Sequence, residues 1–310
     1  MGTGKGRGAL TASGSRASLS RIWTALVVLA ACGCGTNPPQ SPPAPPAAAA
    51  PQLPAVDALA LARRVRANLD LPYERIDYSI ELTDATGASE KRRATFHLAA
   101  GLDGKNCAYV VFTEPKSIDG FGLLTLREMA GAPPPGAAAG CGGEPEQFLF
   151  VPASKKVSRI LYFSTNRRSS FCGTQFTFED LEPLCVDDFQ FRIVGTGVVA
   201  GAACYRLESR PRGQFSGYSR IENWVDARTA LVWKADYDDP KGARLKTAES
   251  AEPFEASPGH YRFRRSTVRN HQSGQATRME QLEFSTAMPG SPPDPRPVFT
   301  LKTLSRGREG

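Results

Sequence analysis

Residues 75–82 read Arg75-Ile-Asp-Tyr-Ser-Ile-Glu-Leu82. Ile76, Tyr78, Ile80 and Leu82 alternate with Arg75, Asp77, Ser79 and Glu81, the period of a strand buried on one face and wet on the other. Past a turn at Gly87 the pattern returns in Ala94, Phe96, Leu98 and Ala100. Further strand-like runs lie near 106–113, 121–127, 146–152, 156–163, 188–195, 203–209, 218–225, 230–238, 243–250, 260–269 and 275–285, joined by Gly, Pro, Asp and Asn turns. In the other direction, Ala58, Leu61, Ala62, Val65 and Leu69 fall at helical spacing, with Arg63, Arg64 and Arg66 opposite and Pro72 closing the helix. Short runs with little helix between them indicate a meandering antiparallel sheet rather than βαβ units. The fold class is mainly β (α+β). About a dozen strands in one sheet must curl or close to protect their edges, and curling makes a concave face.

Residues 56–310 are long enough for one large domain with its own core, and the Gly-, Pro- and Ala-rich residues 130–145 read as a loop in it. Five of the seven cysteines fall in this domain, at 107, 141, 172, 185 and 204. That odd number predicts one or two disulfides and a leftover thiol, with the connectivity open. No CxxC pair lies there, and His97, His260 and His271 are scattered, so no metal or other cofactor is expected.

Residues 1–21 carry Lys5, Arg7, Arg16 and Arg21 and no acid, ahead of an apolar run from Ile22 to Ala31 broken only by Thr24. This is the pattern of a signal peptide. Ten residues rise ~15 Å as a helix, about half of a hydrocarbon core, so the run is too short for a stable span. It ends in Leu29-Ala30-Ala31-Cys32, which matches the lipobox of bacterial lipoproteins, whose cysteine is acylated and becomes the new N-terminus. Residues 1–31 are therefore expected to be a lipoprotein signal peptide, Cys32 the lipidated residue, and the Pro/Ala-rich residues 32–55 an extended tether. The expected address is the bacterial cell envelope, with the chain lipid-anchored at the outer membrane and facing the periplasm. Gly2, Gly4, Gly6 and Gly8 make no phosphate loop, since no strand precedes them, and Gly6 breaks the myristoylation pattern. The formal charge of +7 falls to about +3 once those four bases leave (7 less 4), and no basic block with interleaved aromatics remains. Nucleic acid is excluded as a partner on that ground.

Phenylalanine and tryptophan recur along the later strands. Most are expected in the core, with Phe148, Phe150, Phe176, Phe178, Trp224 and Trp233 as candidates to line an apolar cavity. The acidic run Glu179, Asp180, Glu182, Asp187 and Asp188 could supply a carboxylate pair for glycoside hydrolysis or a calcium site. The simpler expectation is a solvated loop with one residue making local turn hydrogen bonds. Ser169 and Ser170 stand in no GxSxG setting, and no histidine accompanies them, so no catalytic residue is assigned.

Three stretches carry a family resemblance. They are Phe112-Thr-Glu-Pro115 on to Gly120 and Leu124, Phe148-Leu-Phe-Val-Pro152 with Lys155, Lys156 and Arg159, and Phe171-Cys-Gly173-Thr-Gln-Phe176-Thr-Phe-Glu-Asp180-Leu. In these the chain resembles the outer membrane lipoprotein-sorting proteins of the LolA-like superfamily, and later runs at 218–226, 231–237 and 242–245 follow the same order. Cys172 stands where that family usually has methionine and Gln175 where aspartate is common, and the 130–145 insertion is unusually long. The resemblance implies a curved antiparallel half-barrel, here of about 11–12 strands, with a few short helices over the concave face. Pro115, Gly120, Pro152, Phe171, Gly173 and Asp180 would then be structural motif residues. It also implies an apolar cavity for lipid or acylated lipoprotein cargo, with a role in outer-membrane lipoprotein sorting and no enzymatic activity. The alternative is a non-catalytic docking subunit of an envelope transporter or assembly complex.

Overall fold

The computed structural model describes residues 51–131, 140–290 and 293–307. The lipobox residues Leu29, Ala30 and Ala31, Cys32, the signal peptide and most of the tether lie outside the described residues. Described helices are two: α1 (Ala58–Asn68) and α2 (Leu301–Arg306). None of the described helices is long and apolar enough to cross a membrane. Asp57 caps α1 by accepting from the amide of Ala60, which satisfies one of the unpaired first-turn donors. Leu61 and Ala62 bury as their spacing predicts. Arg66, expected on the wet side, is also buried, and its guanidinium pairs with Asp70 one turn on.

Thirteen strands follow, one or two more than expected: β1 (Glu74–Thr83), β2 (Ser89–Leu102), β3 (Lys105–Glu114), β4 (Gly122–Glu128), β5 (Glu146–Val151), β6 (Lys156–Ile160), β7 (Phe189–Val199), β8 (Ala202–Pro211), β9 (Arg220–Asp226), β10 (Val232–Asp238), β11 (Arg244–Ser257), β12 (His260–Asn270) and β13 (Ala276–Ser285). All pair antiparallel in the order β6-β5-β4-β3-β2-β1-β13-β12-β11-β10-β9-β8-β7. The chain builds outward from β1 to one edge, crosses through residues 161–188 to the other edge, and returns until β13 pairs with β1.

That crossover fixes the curvature. The carbonyl of Phe178 accepts from Gln147 Nε2 on β5 at 2.8 Å, and the carbonyl of Gln175 accepts from Lys246 Nζ on β11 at 3.0 Å. Six strands stand between β5 and β11, so a flat sheet would hold them roughly 34 Å apart. Residues 175 and 178 span at most ~11 Å of extended chain. Even with side-chain reach added, both bonds require the sheet to wrap around the crossover. The wrapped side is called the inner face.

Three apolar clusters form. Ile80, Val110, Phe112, Leu123 and Met279 on the inner face pack against Phe171 and Phe178 of the crossover. Leu207 and Val225, also inner, pack against Leu61 and Ala62 of α1 and Val186. The third cluster lies on the outer face, where Tyr109, Val111, Leu124 and Phe150 are covered by Phe299 and by Leu304 of α2. Helices were expected over the concave side alone. The difference has a cause in β3, whose run from Asn106 to Phe112 is buried at every position and so needs cover on both faces. One disulfide, Cys141–Cys185, ties the 130–145 loop to the crossover, while Cys107, Cys172 and Cys204 are free thiols.

Candidate ligand-binding site

The inner face is not filled evenly. Between β10 and β12 the inward positions carry small residues opposite one another: Ala235 faces Ala248 across β10–β11, and Ser250 faces Ser266 across β11–β12. Above this floor lies a cavity of about 370 Å³, walled by Val65 of α1 and Leu69 at its C-cap, with Leu184, Phe176 and Phe263. A second cavity of about 160 Å³ runs under α1 between Ala62, Val65, Val186, Leu207 and Val225. A third, of about 230 Å³, adjoins the crossover. Leu184 and Tyr237 border all three, so the spaces meet at that pair. The roof is firmly held. The side-chain amide of Asn68 at the end of α1 accepts from the Tyr261 amide at 2.7 Å, and Arg262 donates to the Asn68 carbonyl at 2.7 Å. Arg262 also grips Glu74 through two bonds of 2.9 and 3.0 Å.

The third compartment is polar at its crossover side. Phe171 and Phe176 close a tight loop, amide to carbonyl at 2.8 Å, with Gly173 at φ +73° at its turn. The loop delivers Asp180, which accepts from the Thr177 amide, from the Tyr218 hydroxyl at 2.7 Å and from Lys246 Nζ. Arg167 donates twice to Glu182, each at 2.6 Å, and lies 3.2 Å from a Glu179 oxygen. Arg127 forks onto Asp188 at 2.6 and 2.9 Å. Four of the five acids expected in a solvated loop are thus drawn inward by three bases, because the crossover lies inside the curved sheet rather than on its surface. Burial, reinforced by the Glu179 charge, pushes the Glu182 carboxyl up to about 7 against the pull of Arg167. Burial likewise holds the Tyr218 and Tyr237 phenols well above their ordinary value, Asp180 adding to both. Among the described residues no group of three or more His, Cys, Asp or Glu side chains could hold a metal. The arrangement offers apolar space and a satisfied polar wall, which suits binding.

Strand alternation sorts the aromatic candidates. Phe176 walls two of the cavities. Phe178 is buried beside it against Phe171, and Trp233 stands edge-on to Phe263 with its indole N–H on Asp226. Phe148 and Phe150 belong to the outer cluster under α2. Trp224 alternates with the cavity-lining Asn223 and Val225, so it faces outward, where Arg206 stacks on it. Pro115, Gly120 and Pro152 gather away from the cavity: the Glu114–Pro115 bond is cis, Gly120 has φ +79°, and Pro152 packs beside it. Sequence reasoning passed over Leu184, Tyr237, Ala235, Ala248, Ser250 and Ser266. The pairing of small residues was the available signal, and it needed the strand register.

A family model described as "Uncharacterized protein" matches residues 104–306. The chain belongs to that family. The family's matched span runs from β3 into α2 and supplies every cavity wall except α1. No curated protein matches the sequence. Among solved structures, a domain described as outer membrane lipoprotein-sorting, from Vibrio parahaemolyticus, is 23% identical, with a TM-score of 0.67 over 81% of this chain and 100% of its own. A DUF1329 family protein from Desulfovibrio piger is 22% identical, with a TM-score of 0.69 over 80% of this chain and 97% of its own. A LolA superfamily protein from Nitrosomonas europaea is 17% identical, with a TM-score of 0.57 over 80% of this chain and 100% of its own. The family member described here therefore has the LolA-like fold.

Proposed function

We propose that this protein is a lipid-anchored envelope carrier that binds the acyl chain of a lipid or lipoprotein in its inner cavity, without turnover. The observation that carries the reading is the floor of paired small residues, Ala235 with Ala248 and Ser250 with Ser266, beneath α1 and Leu184. Each methylene moved there from water contributes ~0.8 kcal/mol, so an apolar limb can hold a chain with no catalytic group. The solved relative described as lipoprotein-sorting supports the same reading. Its test is mass spectrometry of organic extracts from the protein purified out of a periplasm, with residues 1–32 replaced by a cleavable secretory signal. A stoichiometric lipid or acylated peptide is expected. An empty protein that also ignores fluorescent fatty-acid probes would sink the carrier role.

Anchoring through Cys32 is a separate part of the proposal, resting on Leu29-Ala30-Ala31-Cys32. Radiolabelled palmitate should enter the full chain and not its Cys32→Ala variant. A docking role also has an observation in its favour: beside edge strand β6, Leu161 and Phe163 are more than half exposed. An envelope partner lost on Phe163→Ser, with lipid binding retained, would establish it.

A further inference from the structure

Three compartments meet at Leu184 and Tyr237, and their characters differ. Two are apolar limbs, under α1 and above the Ala235–Ala248 floor, while the third is bordered by the charged crossover. Such a layout fits an amphiphile whose chain enters a limb and whose head stops at the junction. The polar member of that pair is Tyr237. Its ring lies against Tyr218 at 5.0 Å between centroids and under Lys246 Nζ at 4.9 Å, yet among the described residues nothing bonds its hydroxyl. Tyr237 is half-buried and its hydroxyl reaches solvent in the cavity, so a ligand acceptor there would take the place of water.

The charges on the neighbouring wall decide what that acceptor can be. Every base there is already held by carboxylate: Arg127 by Asp188, Arg167 by Glu179 and Glu182, and Lys246 by Asp180. Three bases stand against four acids, so an arriving anion finds no free cation and a surplus of negative charge. Away from water that repulsion is weakly screened. A cationic head would be drawn by that surplus, but an ammonium has no lone pair with which to accept from the Tyr237 hydroxyl. An uncharged carbonyl satisfies both conditions.

Resting on the carrier reading, we infer that the cavity selects amphiphiles with an uncharged ester or amide head, whose carbonyl accepts from the Tyr237 hydroxyl, and discriminates against free fatty acids. With Glu182 titrating near 7, the wall is most negative at pH 8, where the contrast is greatest.

The experiment is calorimetric titration of the delipidated protein at pH 8 with 1-monolauroyl glycerol and with laurate, which share one chain. The ester is expected to bind at least roughly tenfold more tightly. Tyr237→Phe, which removes an oxygen that no described residue bonds, should weaken the ester about three- to tenfold and leave laurate unchanged. Glu182→Gln should strengthen laurate, since one carboxylate is gone; this separates repulsion from the greater water solubility of a soap. Laurate binding as tightly as the ester, or indifference to Tyr237→Phe or to Glu182→Gln, would overturn the inference while leaving a carrier. If neither compound binds, the carrier reading itself falls.

Discussion

Filling the floor of the larger limb should shorten the chain that the protein can hold. Ala248 points into it opposite Ala235, and Ala248→Phe plants a six-carbon ring on the floor without altering the backbone pairing. For a homologous series of monoacyl glycerols, affinity should rise about fourfold per carbon, the equivalent of ~0.8 kcal/mol per methylene, until the limb is full. In the variant the slope should be unchanged, but the plateau should arrive earlier, by up to about six carbons. Short chains would then lose nothing, and the longest would lose up to ~5 kcal/mol, more than a thousandfold in Kd. Competition against a bound fluorescent fatty-acid analogue, at chain lengths from eight to sixteen carbons, reads both slope and plateau. Phenylalanine suits a strand, so the fold should survive, and a thermal midpoint within a few degrees of the parent checks that it does. A loss equal at every chain length would mean that the ring perturbs the protein rather than the limb. No loss at any length would place the chain elsewhere and refute the assignment.

On the outer face, a Cβ added at Gly197 would stand 2.4 Å from Cζ3 of Trp224, so Gly197→Ala should cost about 1–3 kcal/mol in a urea melt, largely restored by adding Trp224→Leu. Removing the Cys141–Cys185 bridge by double serine substitution reopens a loop with a sequence separation of 44, worth up to about 4 kcal/mol in chain entropy. The thermal midpoint should fall by roughly 10 °C, and an unchanged midpoint would show the bridge to be energetically idle. Two buried groups should pull the pH dependence of stability in opposite directions. Glu182, raised to about 7 from an ordinary 4.5, stabilises the fold fully below pH 4.5 and loses that contribution as pH climbs through 7. His97, lowered to about 4 from 6.5 chiefly by burial, contributes above pH 6.5 and loses its contribution as pH falls through 4. Each is on the order of 3 kcal/mol at most, so the parent's urea midpoint should vary little between pH 5 and 6.5. Glu182→Gln should make it fall toward acid and His97→Phe toward base; parallel curves for all three proteins would remove both groups from the account.

The sheet was legible because alternation is a local property. Ile76, Tyr78, Ile80 and Leu82 pair in register with β2 and β13 as their period requires, and a one-residue slip would have put all four in water. Helix α1 was legible for the same reason, down to Leu61. Partners across the crossover were not. The acids at 179–188 look like surface charge until the chain is seen to pass inside the sheet, where Arg127, Arg167 and Lys246 arrive from positions 12 to 66 residues away in sequence. The periodicity of a charge run carries no information about a base that distant. Arg66 escaped for a related reason, since its stem can bury along α1 while the guanidinium finds Asp70.

The aromatic candidates show why a cavity is harder to read than a core. Large side chains announce burial but fill the space that they line, so Phe148 and Phe150 went to a packed outer cluster and Trp224 to the outer face over a glycine. Space arises where two neighbouring strands place small residues opposite each other on the same face. Alone, each of Ala235, Ala248, Ser250 and Ser266 is an ordinary strand residue; in register they form the floor of a cavity. The strand count supplied the curvature, resemblance supplied the expectation of a lipid-holding cavity, and pairing supplied its position. The binding surface is thus written in what the strands omit, and substitutions that restore bulk at those four positions should report on function more sharply than removal of any aromatic.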